Sequence, residues 1–356
     1  MINKHVFNIT PYQPGKPIEE VKREYGLKDV IKLASNENSL GSSPKAIKAI
    51  QAALEGLNRY PDGDCFYLKA KLAKRLGVSP KNIIFGNGSD EILDMVIKTF
   101  LNPRQHEIIT SDITFLEYKI TGQISGANVI EVPLRNFKYD LDAIKRAINK
   151  KTKIIFIANP NNPTGTYVTK KQFNAFLKSI PQDIIVIYDE AYEEFVDRPD
   201  FPQGKNYFKE KNIIVIKTFS KVYGLAGLRI GYGVSSVSFI DAMNRVRQPF
   251  NVNSLAQVAA IAALDDKEFL KKSRKVVFEG KAFLYDQLQK MGLDYVPSVT
   301  NFILVNTKRN VFYPLLKLGI IVRPMDGYGL KGSIRVTIGI KQENEKFINA
   351  LKRVLK

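Results

Sequence analysis

Lys221, Asp189 and Asn162 are the residues from which chemistry can first be argued, because each follows a short apolar run. Ile154-Ile155-Phe156-Ile157 leads into Asn159-Pro-Asn-Asn162-Pro-Thr-Gly165. Ile184-Ile185-Val186-Ile187 leads into Tyr188-Asp189-Glu190-Ala191-Tyr192, and Ile213-Ile214-Val215-Ile216 into Lys217-Thr218-Phe219-Ser220-Lys221. Continuous β-branched runs of this length suit strands covered on both faces, as in a parallel sheet. Ligands of open α/β sheets sit beyond the carboxyl ends of the strands, so Asn162, Asp189, Tyr192, Thr218 and Lys221 are predicted to converge. An amine condenses with an aldehyde cofactor to give an imine. A carboxylate beside a pyridine nitrogen keeps it protonated and makes the ring a better electron sink. Tyrosine and asparagine can bind the ring's phenolate oxygen. A hydroxyl and an arginine can hold a phosphate, and Arg229 is placed two helical turns beyond Lys221. Gly86-Asn87-Gly88-Ser89-Asp90 is read as a strand-to-helix turn whose N–H groups cradle an anion. Each signal alone also reads as a turn, a cap or a surface charge. Their placement at successive strand ends is what matches pyridoxal phosphate.

The elements that must position these residues are also legible. Ile83-Ile84-Phe85 and Ile108-Ile109 read as further strands, and the segment from Thr169 to Ser179 as a crossover helix. Ser43-Pro44 pairs an N-cap residue with proline at the first helical position, followed by Ile47, Ile50, Leu54 and Leu57 at helical spacing. A helix is expected over Asp90 to Phe100. The last hundred residues read as helix, strands near Phe302–Val305 and Ile334–Ile338, and a final helix. An α/β fold follows, with a large domain over 45–250 and a smaller α+β domain over 251–356. The arm 1–44 joins the smaller domain.

Bulk properties narrow the class. The chain has 356 residues, 44% hydrophobic and 25% charged, enough for two domains with ordinary cores. No apolar run approaches a membrane span, and no secretory leader is read at the N-terminus. A single cysteine, Cys65, excludes an intrachain disulfide and suits a reducing cytoplasm. The two histidines, His5 and His106, lack triad or metal-ligand spacing. No metal is expected, and acid–base work falls to lysine, tyrosine, carboxylate or cofactor. The net charge of +19 comes from lysines scattered along the chain. A basic nucleic-acid-binding regulator would explain that charge, but no DNA-binding segment is appended, so no specific nucleic acid is expected.

The segments NNPTG (161–165), YDEAY (188–192) and TFSKVYGLAGLRIGY (218–232) resemble the signature of fold-type I aminotransferases. Within that superfamily the chain most resembles the histidinol-phosphate aminotransferases. The supporting segments are PYQPGK (11–16), LASNEN (33–38), NRYPD (58–62), GNGSDE (86–91), VRPM (322–325) and IRVTIG (334–339), which span nearly the whole chain. The resemblance implies a mostly parallel seven-stranded sheet in the large domain. It implies that Lys221 holds pyridoxal phosphate and moves the Cα proton, that Asp189 pairs with the pyridine nitrogen, and that Tyr192 and Asn162 bind the ring oxygen. Phe115 would stack on the ring. Ser89, Asp90, Thr218 and Arg229 would surround the phosphate, with Tyr60 reaching it from the neighbouring subunit of a homodimer. Arg335 would clamp the substrate α-carboxylate, Arg323 would hold a substrate phosphate, and Tyr12 and Asn36 would complete the substrate site. The implied reaction is transfer of the amino group of histidinol phosphate to 2-oxoglutarate, in histidine biosynthesis. Aromatic amino-acid aminotransferase and threonine-phosphate decarboxylase activities share the scaffold. Ser39 and Ile113 replace prolines usual in the family, in loops at the mouth of the site.

Overall fold

The computed structural model describes residues 6–7, 9–102, 104–209 and 212–356. In chain order the strands are β1 (Ile31–Lys32), β2 (Ile83–Gly86), β3 (Glu107–Ser111), β4 (Asn128–Val132), β5 (Thr152–Ala158), β6 (Ile185–Asp189), β7 (Ile213–Thr218), β8 (Gly231–Val234), β9 (Asp294–Val296), β10 (Phe302–Asn306), β11 (Ile320–Ile321), β12 (Arg323–Pro324) and β13 (Ser333–Thr337).

Seven strands form one sheet in the order β2-β8-β7-β6-β5-β3-β4. All its pairings are parallel except those of β8, which runs antiparallel to both neighbours. The expected mostly parallel seven-stranded sheet is therefore present. Its central strands β6 and β7 are buried at every position, because helices cover both faces. Burying one Ile or Val side chain stabilises by about 1.5–3 kcal/mol, so these runs dominate the core. The register aligns Ala158 with Asp189, and Asp189 with Ile216. Three chain ends far apart in sequence thus open at one rim.

Helix boundaries follow local chemistry. Ser43 Oγ accepts from the Ala46 N–H at 3.3 Å, with Pro44 at the first helical position of Pro44–Ala53. Thr169 and Gln172 form a capping box that starts Lys170–Ser179. The predicted helix before Phe100 spans Ser89–Phe100. One local expectation fails. Arg229 does not lie two helical turns beyond Lys221. The chain folds back instead, with Gly224 at φ +69°, a single 3-10 turn at Ala226–Leu228 and Arg229 at φ +53°. A side chain at Gly224 would meet the Gly41 carbonyl, so the turn is tight as well as left-handed.

β12-β13-β10-β9 form a second, antiparallel sheet, and β1 pairs with β11 in parallel. The expected strands near 302 and 334 are its β10 and β13; the shorter β9, β11 and β12 escaped the sequence. The helix Lys267–Lys290 spans 24 residues and buries Phe269, Ser273, Val277, Gly280, Lys281, Leu284 and Leu288 at three- and four-residue spacing. Gly280 is required there: a Cβ would sit 2.6 Å from Ile338 Cγ2. Among the described residues no helix is long and apolar enough to cross a membrane, and no cluster of His, Cys, Asp and Glu is suited to a metal.

Candidate active site

The polar residues at the rim of the large sheet line a cavity of about 400 Å³, closed on its other side by the loop Ala34–Glu37 and by strands β12 and β13. Lys221, Asp189, Tyr192, Asn162, Thr218, Ser89, Asp90, Phe115, Arg229, Tyr12, Asn36, Arg323 and Arg335 all face it. Tyr60 does not. It is 83% exposed and stacks on Phe250 with ring centroids 4.8 Å apart.

Asp189 lies at the end of β6, the strand position closest to the rim. Its carboxyl accepts from Tyr118 Oη at 2.7 Å and from the Ala191 N–H at 2.9 Å. Burial pushes its pKa up to about 6, against these two donors, which pull it down. A buried carboxylate with donors behind it and no bonded cation in front is set to receive a cationic N–H from the cavity. Tyr118 is itself fixed: its ring stacks on Phe156 at 4.8 Å and 3°, and burial next to Asp189 holds its phenol well above the usual value. It therefore stays a neutral donor.

Lys221 reaches into the cavity from the turn after β7. Its Nζ contacts the Ser35 carbonyl, at 3.4 Å, and the face of Tyr192, at 5.7 Å. Among the described residues no carboxylate pairs with it. Tyr192 Oη accepts from Asn36 Nδ2 at 2.9 Å, which leaves the phenol proton free to be donated. Asn36 adopts φ +55° and is tied to Thr337 by its N–H at 3.0 Å. Asparagine tolerates that left-handed conformation, and the arm is thereby pinned to β13.

At one end of the cavity lies the N-terminus of Ser89–Phe100. Gly88 at φ +84° and Gly231 let the backbone of β8 pass beneath it; a Cβ on Gly231 would lie 2.6 Å from the Ser89 nitrogen. Arg229 Nη2 pairs with Asp90 Oδ2 at 3.1 Å, so guanidinium and helix dipole act on the same space. The Thr218 hydroxyl accepts the Ser220 N–H at 3.0 Å, leaving its own proton to give.

At the other end Arg323 and Arg335 sit directly opposite each other on β12 and β13. Arg335 is buried. It donates to Asn162 Oδ1, and through Nη2 to the Ala34 carbonyl at 2.6 Å, while its Nε has no hydrogen-bond partner among the described residues. Burial and the neighbouring Arg323 lower its pKa, partly offset by Tyr192 and Tyr328. Arg323 donates to the Gln13 carbonyl at 2.6 Å and lies 5.3 Å over the Tyr12 ring. Two adjacent guanidiniums with no carboxylate between them form a site for an anion of more than one charge.

Sequence reasoning missed Tyr118 and the Ala34 and Ser35 carbonyls. Tyr118 stands three residues after Phe115, in the first turn of the helix Glu117–Ser125, and its type alone reads as a core aromatic. Carbonyl acceptors leave no trace in side-chain type. Cys65 is buried, and burial pushes its thiol up to about 12, so it is no nucleophile.

The family model for aminotransferases of class I and II matches residues 28–351. A histidinol-phosphate aminotransferase of Moorella thermoacetica is 51% identical over 98% of this chain and 92% of its own length. One from Caldicellulosiruptor saccharolyticus is 48% identical over 100% of both. Among solved structures, the histidinol-phosphate aminotransferase of Sinorhizobium meliloti in complex with pyridoxal-5'-phosphate superposes with a TM-score of 0.92 at 27% identity, over 99% of this chain and 97% of that one. With its rim of Lys221, Asp189 and paired arginines, the chain belongs to the histidinol-phosphate aminotransferase family of class I and II aminotransferases.

Proposed function

We propose that this chain transfers the amino group of L-histidinol phosphate to 2-oxoglutarate with pyridoxal phosphate as cofactor, serving histidine biosynthesis. The observation that carries the substrate is the register of Arg323 opposite Arg335, which puts two guanidiniums side by side at the end of the cavity away from Arg229 and the Ser89 helix terminus. The cofactor fits the donor set: Asp189 is a buried carboxylate short of a cation, and the Gly88–Ser89 turn with Arg229 is a ready phosphate cradle.

Pyridoxal phosphate supplies an aldehyde and an electron-accepting ring. Asp189, kept ionised by Tyr118 and the Ala191 N–H, would hold the ring nitrogen's proton. The Tyr192 hydroxyl and Asn162 Nδ2 would donate to the ring oxygen, and Phe115 would cover the ring face. Ser89, Asp90, Thr218 and Arg229 would hold the phosphate. Lys221 Nζ, free of any carboxylate, would bind the aldehyde carbon and later take up the proton leaving substrate Cα. Arg335 would take the α-carboxylate of glutamate with its unpartnered Nε, and Arg323, steadied by Tyr12, the substrate phosphate. Asn36 would act by fixing the Tyr192 hydroxyl.

Exposed Tyr60, Phe66, Tyr67 and Phe250 form the face we assign to a homodimer, through which Tyr60 would reach the partner's cofactor phosphate. We assign 45–250 to the large domain and 251–356 with the arm 1–44 to the small one, and the cytoplasm as its compartment.

The test is a substrate panel of histidinol phosphate, histidinol, phenylalanine and threonine phosphate, with 2-oxoglutarate as acceptor. Histidinol phosphate should win on kcat/KM, and Arg323→Ala should erase its advantage over histidinol while sparing phosphate-free donors. A clear win for phenylalanine, or carbon dioxide release from threonine phosphate, would overturn the substrate while leaving the cofactor chemistry standing.

A further inference from the structure

A second cleft, of about 610 Å³, opens behind the Asn159–Gly165 loop, between the helix Lys267–Lys290 and the segment 295–299. It shares no lining residue with the active-site cavity. Its size falls within the usual range for small-molecule sites.

Its chemistry is unusual for an incidental gap. Lys281 lies on the buried face of the long helix and is only 9% exposed. Among the described residues it makes no ion pair or hydrogen bond, and the face of Phe278 lies 5.7 Å from its Nζ. The one carboxylate on the lining, Asp197, is engaged by Arg198 at 3.5 Å. A buried ammonium without an anion costs free energy, and burial accordingly lowers its pKa to about 8, with Asp197 raising it and Arg198 lowering it further. The charged groups on the lining are Lys281, Lys138 and the adjacent pair Asp197 and Arg198. The remaining titratable groups are the phenols Tyr167, Tyr285 and Tyr295. Three cations thus face one carboxylate, which Arg198 already engages, and the cleft has positive charge to spare.

The walls decide the shape of the missing anion. Tyr285 and Tyr295 stack at 4.5 Å and 13°, and Tyr285 is locked by accepting the Ser298 N–H at 2.7 Å. Phe278 stands one turn from Lys281 on the same helix. Rigid aromatic faces favour flat aromatic rings over flexible chains.

We propose that this cleft binds a small planar aromatic carboxylate, its ring among Phe278, Tyr285 and Tyr295 and its carboxylate paired with Lys281. The site is separate from the transamination chemistry and does not depend on the substrate assigned above.

The experiment is equilibrium dialysis of the cofactor-loaded enzyme with 2-naphthoate. One equivalent should bind, weakened at least roughly tenfold by Lys281→Met, which removes a charge-assisted hydrogen bond, and also by Phe278→Ala. Arg335→Lys should leave this binding intact. Affinity should fall as the pH rises past about 8, where the ammonium of Lys281 loses its proton, and Lys281→Met should flatten that dependence. Lys281→Met conserves volume, so it should fold, and its turnover of the amino donor should match the parent. The proposal is overturned if no 2-naphthoate binds at millimolar concentration. It is also overturned if Arg335→Lys abolishes binding while Lys281→Met does not. Equal competition by inorganic phosphate would likewise overturn it, since a bare anion would then suffice.

Discussion

Lys217 and Lys221 leave the same strand end four residues apart, one on each side of the sheet. On the back face, Lys217 Nζ meets Glu193 at 2.7 Å and Glu194 at 3.2 Å, with Glu190 close by, its carboxylate accepting the Gly204 N–H at 2.7 Å. Burial alone would lower the Lys217 pKa, but the glutamates raise it well above the ordinary value. Glu190 and Glu194 are in turn pushed up by burial, while Lys217 holds Glu193 down. On the front face, Lys221 has a carbonyl, a tyrosine ring and a cavity. The adjacent carboxylates divide in the same way: Glu190 turns back to the cluster and Asp189 forward to the cavity. The lesson concerns closure. A buried charge with its partners inside the protein holds strands together, whereas one whose partner is missing is set for a ligand.

The sharpest way to break this contrast is to exchange the fates of the two lysines. Lys221→Ala should lower turnover by roughly 10⁴-fold or more, since the proton transfer alone is worth about 10²–10⁴, and borohydride should no longer fix the cofactor to the protein. Lys217→Met should do the reverse. It leaves buried glutamates unpaired, which costs about 3–5 kcal/mol of stability, visible as a lower urea midpoint. Turnover per bound cofactor should nevertheless stay near the parent value. If Lys217→Met lost turnover per bound cofactor as fully as Lys221→Ala, the division between the two faces would fall.

Asp189 gives a pH signature of the open side. Its folded pKa, about 6, lies above its ordinary 3.8, so between these values the folded chain binds more protons than the unfolded one. Stability of the cofactor-free protein from this group is full below about pH 4 and is lost as pH rises through 6, by on the order of 3 kcal/mol at most. Asp189→Asn, compared with the parent in chemical denaturation across that window, should remove the fall, and cofactor binding to the parent should also remove it. Smallest is Tyr118→Phe. It deletes one donor to Asp189, worth about 1 kcal/mol, and should raise the pH at which this loss occurs and weaken cofactor binding several-fold. A pH midpoint that stayed put would show that Tyr118 does not tune Asp189.

Much of this site was legible because its residues follow apolar runs long enough to be strands. Asp189, Asn162 and Lys221 inherit their positions from β6, β5 and β7, so finding the runs found the site. Arg229 was placed correctly for the wrong local reason: a spacing of eight suggests two helical turns, but Gly224 allows a reversal that spacing cannot reveal. Arg323 and Arg335 were identified singly. Their face-to-face register depends on the two-residue strand β12, too short to carry a period. Tyr118 reads as an ordinary core aromatic until its hydroxyl is seen to reach Asp189. Lys281 was invisible in a chain of scattered lysines, because which lysine of a long helix is buried is a property of the packing.

The pinning of the arm also constrains the order of assembly. The Ala34 carbonyl accepts from Arg335, and the Asn36 N–H bonds Thr337, each 301 residues away in sequence. Ile31 pairs with Ile320 in the same way. During synthesis, residues 34–36 leave the ribosome long before their partners exist, so Lys221 and Tyr192 are made into a half-walled cleft. Contacts of such separation close late, and large chains expose apolar surface while waiting. The last strand thus acts as a checkpoint: a nascent chain stalled before β13 has Lys221 but lacks Arg335, the guanidinium we assign to the carboxylate.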